Sequence, residues 1–135
     1  MDPIPQILAQ TKTIAVVGLS GKEGRPGRYV PAYLQSHGYR IIPVNPNLAT
    51  ALGETAYPNL YAVPEPVDLV LIFQRSDQVP PFVAQAIEIG ARAVWLQSGI
   101  VHEAAAAQAR AAGLAVVMDA CMMVEHRRYN ARPAG

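Results

Sequence analysis

The strongest constraint on the fold of this chain is a repeated alternation between short Val- and Ile-rich runs and stretches of helical spacing. The runs occupy residues 13–17 (TIAVV), 39–44 (YRIIPV), 67–73 (VDLVLIF), 93–96 (AVWL) and 114–118 (LAVVM), and most are apolar on both faces. A strand that is apolar on both faces has to be covered twice, as the strands of a parallel sheet are. Between the runs, Val30, Tyr33, Leu34 and His37 share one helical face, and Gly38 supplies a left-handed stop. Ser76 or Asp77 can cap a second helix, which tolerates Pro80 and Pro81 in its first turn and ends before Gly90. Residues 103–112 form an Ala-rich third helix closed by Gly113, and shorter helices are expected at residues 4–10 and around residues 122–129. With right-handed crossovers, this alternation predicts one α/β domain over residues 1–135. It is a Rossmann-like, doubly wound parallel sheet of about five strands, with helices on both faces and the expected order 3-2-1-4-5.

Residues 46–66 break the pattern. They carry Pro46, Pro58, Pro64 and Pro66, with Pro43 just before them, and show no clear period. This segment reads as a crossover containing one turn of helix and a short strand. Pro43 lacks an N–H, so the end of the second strand is expected to be unpaired on that side.

Composition closes off several classes of function. Apolar residues make up 51% of the chain and charged residues 16%, enough for a packed core and inconsistent with disorder. The net charge of +1 leaves no global footprint for nucleic acid. Neither a signal-peptide run nor a stretch of about 20 apolar residues is present, so no membrane contact is expected. The single cysteine, Cys121, cannot form an internal disulfide and fits a reducing compartment, so a soluble, cytoplasmic protein is expected.

In open parallel sheets, ligands bind beyond the carboxyl ends of the strands at the point where strand order reverses. That rule selects residues 18–28, 44–46, 73–75, 97–99 and 119–121. The first of these reads GLSGKEGRPGR, leaving a buried strand and entering a helix. Glycine lets backbone approach a phosphate, and a helix N-terminus offers free N–H groups and the positive end of a dipole. Ser20 adds a hydroxyl, and Lys22, Arg25 and Arg28 add three cations. The loop is neither G-x-G-x-x-G, since Ser20 holds the middle position, nor a P-loop. A site for NAD usually has an acid at the end of its second strand, and here Val44, Asn45 and Pro46 stand there. A nucleotide with an additional ribose phosphate suits this loop better.

Residues 14–20 (IAVVGLS), 38–46 (GYRIIPVNP), 52–60 (LGETAYPNL), 67–73 (VDLVLIF), 93–100 (AVWLQSGI) and 112–117 (AGLAVV), with Asp119, Cys121 and Glu125, carry a resemblance. As a set, the chain resembles the small stand-alone CoA-binding proteins, relatives of the CoA-binding domain in the succinyl-CoA ligase α subunit. The resemblance implies that Gly18, Ser20, Gly21 and Lys22 meet the phosphates of coenzyme A and that Arg28 helps neutralise them. By the same resemblance, Val44, Asn45 and Pro46 line the nucleotide, and Phe73 and Arg75 flank it. Two departures stand out. Ala120 replaces the basic residue the family usually has before Cys121, and no match to the ligase's phosphorylated His or partner domains is expected in these residues.

The remaining residues offer little chemistry. Cys121 lies at a strand's carboxyl end, where a thiol facing the ligand and a small buried hydrophobe are both open readings. His37 is expected to be a partly buried neighbour of Tyr33, His102 to begin the third helix, and His126 to lie in a charged tail. None has metal or triad spacing. Trp95, Phe82, Met122 and Met123 read as packing, and Arg127, Arg128 and Arg132 as a solvated basic end. The expected function is therefore binding of CoA or an acyl-CoA without evident catalysis. An NAD(P)-binding, oxidoreductase-like domain and an interaction protein with a degenerate nucleotide site remain as alternatives.

Overall fold

The computed structural model describes residues 2–129 and Ala134. Five parallel strands form the sheet: β1 (Thr13–Val17), β2 (Arg40–Val44), β5 (Leu69–Ile72), β6 (Ala93–Leu96) and β7 (Ala115–Val117). A two-stranded hairpin, β3 (Thr50–Ala51) and β4 (Glu54–Thr55), stands apart from it in the crossover. The helices are α1 (Ile4–Gln10), α2 (Pro26–Ser36), α3 (Val79–Glu88), α4 (Glu103–Ala111) and α5 (Met122–Tyr129).

Alternation along each strand sends side chains to two cores. Ala15, Val17, Val70, Ile72, Val94 and Leu96 pack on one face with Val79, Val83 and Ala86 of α3 and Ala105 and Ala109 of α4. Ile14, Val16, Leu69, Leu71 and Trp95 pack on the other with Leu8 of α1, Val30 and Leu34 of α2 and Met122 of α5. The sheet is therefore doubly wound, as the two-sided apolar runs require.

The strand order is β2-β1-β5-β6-β7, and this corrects the expected order. The third long apolar run pairs with β1, not with the outer edge of β2. All four residues of β5 are buried, and it lies between β1 and β6. The outer edge of β2 suits a partial neighbour, because Pro43 has no N–H to give. What it receives is the crossover: Tyr57 N–H donates to the Pro43 carbonyl (3.0 Å) and Asn45 N–H donates to the Tyr57 carbonyl (2.9 Å). In either order the chain reverses direction beside β1, so the predicted ligand edge is unchanged.

The crossover also holds the β3–β4 hairpin, closed by Leu52 and Gly53 at φ of 53° and 75°. Two consecutive positive-φ residues make the turn that matches strand twist. A single 3₁₀ turn at Leu60–Ala62 follows, capped by the Asn59 side chain.

Three local expectations need correction. Neither Ser76 nor Asp77 caps α3. They form a 3₁₀ turn at Ser76–Gln78, and the Ser76 hydroxyl accepts the Val101 N–H (3.0 Å). His126, expected in a charged tail, is 1% exposed and 2.8 Å from the Tyr33 hydroxyl through Nδ1. His37 is exposed, stacked on Tyr33 with ring centroids 4.1 Å apart. Trp95 is core as expected, with its indole N–H donating to the Ala120 carbonyl (2.8 Å). Arg127 lies over the Tyr33 ring and Arg128 pairs with Glu125, while Arg132 falls outside the described residues. The Tyr39 hydroxyl donates to the Leu8 carbonyl (2.7 Å) and so ties α1 to the sheet. Burial, assisted by neighbouring Tyr33, pushes the Tyr39 hydroxyl up to about 12. Among the described residues, no helix is long and apolar enough to cross a membrane, and no group of three His, Cys, Asp or Glu could hold a metal ion.

Candidate functional site

The loop leaving β1 begins at Gly18, whose φ of +83° favours glycine. Space demands the same residue, because a Cβ there would lie 3.1 Å from the Gln74 side-chain nitrogen and 3.3 Å from the Phe73 carbonyl oxygen. The loop is tied down at three points. Gly18 N–H donates to the Val44 carbonyl (3.0 Å), Ser20 N–H to the Gly27 carbonyl (2.9 Å), and the Asn45 side-chain amide to the Leu19 carbonyl (2.9 Å). The Ser20 hydroxyl accepts the Lys22 N–H (3.1 Å). The amides of Gly21, Gly24 and Gly27 find no partner among the described residues. Backbone donors that remain open in a fixed loop at the head of an eleven-residue helix form a concavity suited to an anion.

Charge reinforces that concavity. Lys22 and Arg25 are exposed and Arg28 is half-buried, and none of the three enters an ion pair among the described residues. Arg75 differs, since its guanidinium grips Asp77 (2.9 Å). That bond raises the guanidinium above its ordinary range and lowers the Asp77 carboxyl below its own.

An open cleft of about 320 Å³ runs along the carboxyl ends of β1, β5 and β6. Gly18, Ser20, Arg25 and Gly27 of the loop line it together with Phe73 after β5 and Gln97, Ser98 and Ile100 after β6. Gln97 is 4% exposed. Its carboxamide oxygen accepts the Met122 N–H at the start of α5 (3.2 Å), and its nitrogen has no partner among the described residues. The segment after β6 is held by Asp119, whose carboxylate accepts the Gly99 N–H (2.7 Å). Asp119 itself sits at a φ of 56°.

The predicted site residues fall into two groups. Gly18, Ser20 and Phe73 line the cleft, whereas Gly21 packs towards Leu48, Lys22 stands in the loop, and Arg28 in the first turn of α2. Val44 is buried and contributes its carbonyl to Gly18. Asn45 is half-buried and joins two loops, its side-chain oxygen accepting the Asn47 N–H (2.8 Å). Pro46 is exposed in the adjoining turn, and Arg75 points its fork at Asp77. Arg25 and Gln97 also line the cleft, although no motif singles them out. Their signal was the strand-end rule, which had already selected both segments.

Fold and loop together define the class: a Rossmann-like α/β domain with a glycine loop at the point where strand order reverses. More narrowly, residues 12–127 match the family model described as CoA binding domain, and the chain belongs to that family. It is 41% identical over 123 residues to the uncharacterized protein YneT of Bacillus subtilis, covering 91% of each chain. It is 34% identical over 95 residues to the ADP-forming acetate–CoA ligase II of Archaeoglobus fulgidus, spanning 68% of this chain and 14% of that enzyme. Among solved structures, a Thermus thermophilus protein superposes with a TM-score of 0.91 at 38% identity, over 96% of this chain and 99% of that one.

Proposed function

We propose that this chain binds coenzyme A or an acyl-CoA in the carboxyl-edge cleft and catalyses no reaction on it. The observation that carries the reading is the meeting, in one loop, of open backbone amides with three cations that have no carboxylate partner. Such a loop suits a ligand with several phosphates. Glycine at 18 and 27 keeps the cradle free of side chains, which would otherwise lie within 3.2 Å of neighbouring atoms. Coenzyme A would place its phosphates against Gly18, Ser20, Gly21 and Gly27, with Arg25, Lys22 and Arg28 neutralising them. Its long amide arm would run towards Phe73, Gln97 and Ile100. The Gln97 nitrogen, oriented by Met122, would donate to a carbonyl on that arm. Catalysis is not part of the reading: His102 uses Nδ1 to cap α4, and Tyr33 engages His126.

Calorimetry with Gln97→Glu tests this reading, because glutamate keeps the acceptor for Met122 and removes the donor. Coenzyme A should bind the variant about fivefold to tenfold more weakly, as expected for one lost hydrogen bond. Adenosine 3′,5′-bisphosphate, which has phosphates and no arm, should lose less affinity for the variant than coenzyme A does, since only the added carboxylate affects it. Failure of the wild type to bind either ligand would overturn the function proposed here.

A further inference from the structure

Two residues of α2 are poor choices for a helix, and they stand four apart. Gly27 lies in its first turn, where the missing side chain lowers helix stability. Pro31 lies in its interior, buried. A helical residue donates its N–H to the carbonyl four positions earlier, so the natural partner of residue 31 is the carbonyl of Gly27. Proline has no N–H to give, and its ring crowds that carbonyl. The Gly27 carbonyl is thus the one in the first turns of α2 that the helix itself cannot satisfy. It is also the acceptor for Ser20 N–H at 2.9 Å.

The glycine serves the same contact. A Cβ on Gly27 would lie 3.2 Å from the Gly18 oxygen, 3.5 Å from the Ser20 nitrogen and 3.6 Å from the Ser20 Cβ. The loop therefore rests directly on the helix backbone. Removing a side chain at 27 lets it approach, and removing a donor at 31 leaves it something to bind.

We propose that Pro31 is a positioning residue for the ligand loop: by withholding its N–H it reserves the Gly27 carbonyl for Ser20 and holds the loop in its binding shape before ligand arrives. Pro31 touches no ligand in this scheme. Its effect on affinity rests on the CoA reading above, whereas its effect on the loop does not. Alanine at 31 restores the intrahelical donor, which competes with Ser20 for one oxygen. Helix propensity rises on that change, so the variant should fold.

The test combines two readouts on Pro31→Ala. Hydrogen exchange of the Ser20 amide, followed by NMR on the ligand-free protein, should be clearly protected in the wild type and several-fold faster in the variant. The Kd for coenzyme A should rise about fivefold, the size of one ordinary hydrogen bond, while Tm stays level or rises. A purely structural role would lower Tm and leave Ser20 exchange in step with its neighbours. Gly27→Ala should reproduce the fast Ser20 exchange by forcing the loop off the helix. Unchanged Ser20 exchange in Pro31→Ala would overturn the proposal, whatever the ligand does. Faster exchange in a protein whose wild type binds no coenzyme A would support the positioning of the loop and count against the CoA reading alone.

Discussion

The two ends of the sheet treat charge in opposite ways. At the amino end, Asp68 and Arg40 are both engaged. Asp68 accepts the N–H groups of Lys12 (3.0 Å) and Thr13 (2.9 Å), fastening the start of β1. Arg40, at the start of β2, lies between Glu54 and Glu65, the latter at 3.0 Å. Hydrogen bonds to Glu65 and Glu54 raise its guanidinium further, and Arg40 in turn lowers the Glu65 carboxyl. At the carboxyl end, Lys22, Arg25 and Arg28 surround open amides, without a carboxylate partner among the described residues. A cation that the fold has already neutralised is fastening the structure. Cations left unneutralised beside unpartnered donors are suited to an anion from outside. By this criterion Arg75, tied to Asp77, belongs with the fasteners although it stands at the ligand end.

The largest effect is expected at Gly18. Gly18→Val introduces a side chain at positive φ against the Phe73 carbonyl, so it should destabilise the fold by about 2–4 kcal/mol and abolish CoA binding. Thermal unfolding and calorimetry on the same sample measure both. Next in size is Arg25→Ala, which should weaken CoA binding by about 1.5–3 kcal/mol at low salt while leaving stability within about 0.5 kcal/mol. Equal affinity in that variant would remove Arg25 from the site.

Away from the ligand edge, Tyr39 gives a pH signature. Its folded hydroxyl titrates at about 12 against an ordinary 10.0, so the folded state keeps the proton where the unfolded state has lost it. The stabilisation is complete below pH 10 and declines as pH rises towards 12, by about 1–2 kcal/mol. Denaturant titrations across that window should show the decline, and Tyr39→Phe should flatten it. The smallest effect belongs to Arg40→Ala, an exposed pair that should contribute less than about 1 kcal/mol to stability and nothing to CoA affinity. A loss of affinity there would dissolve the distinction between the two ends.

Much of the fold was legible because strands apolar on both faces admit few arrangements. The order of the strands was not, since it turns on which strand tolerates an edge. Pro43 carried that information, and only the bond from Tyr57 makes it plain. Gly18 was legible from its place between strand and helix. Asn45 stands where an NAD site usually has an acid, but its role as a tie between two loops depends on partners far apart in sequence. Aspartate at 45 would remove the donor to Leu19 as well as repel a ribose phosphate, so that substitution disturbs the loop and the ligand together. Gln97 continues a buried strand, and nothing in its sequence neighbours tells that half of its amide is held by α5 and half is open. His126 was misread for the same reason: its burial comes from Tyr33 and Tyr39, on other elements.

The most direct test of the open cation cluster at the carboxyl end is titration calorimetry of the wild-type protein with coenzyme A and with NAD, each at low and high salt. Coenzyme A should bind one to one, more weakly as salt screens the contacts of its phosphates with Lys22, Arg25 and Arg28, and NAD should bind far less tightly under both conditions. Binding of NAD without binding of coenzyme A, or CoA binding indifferent to salt, would contradict it.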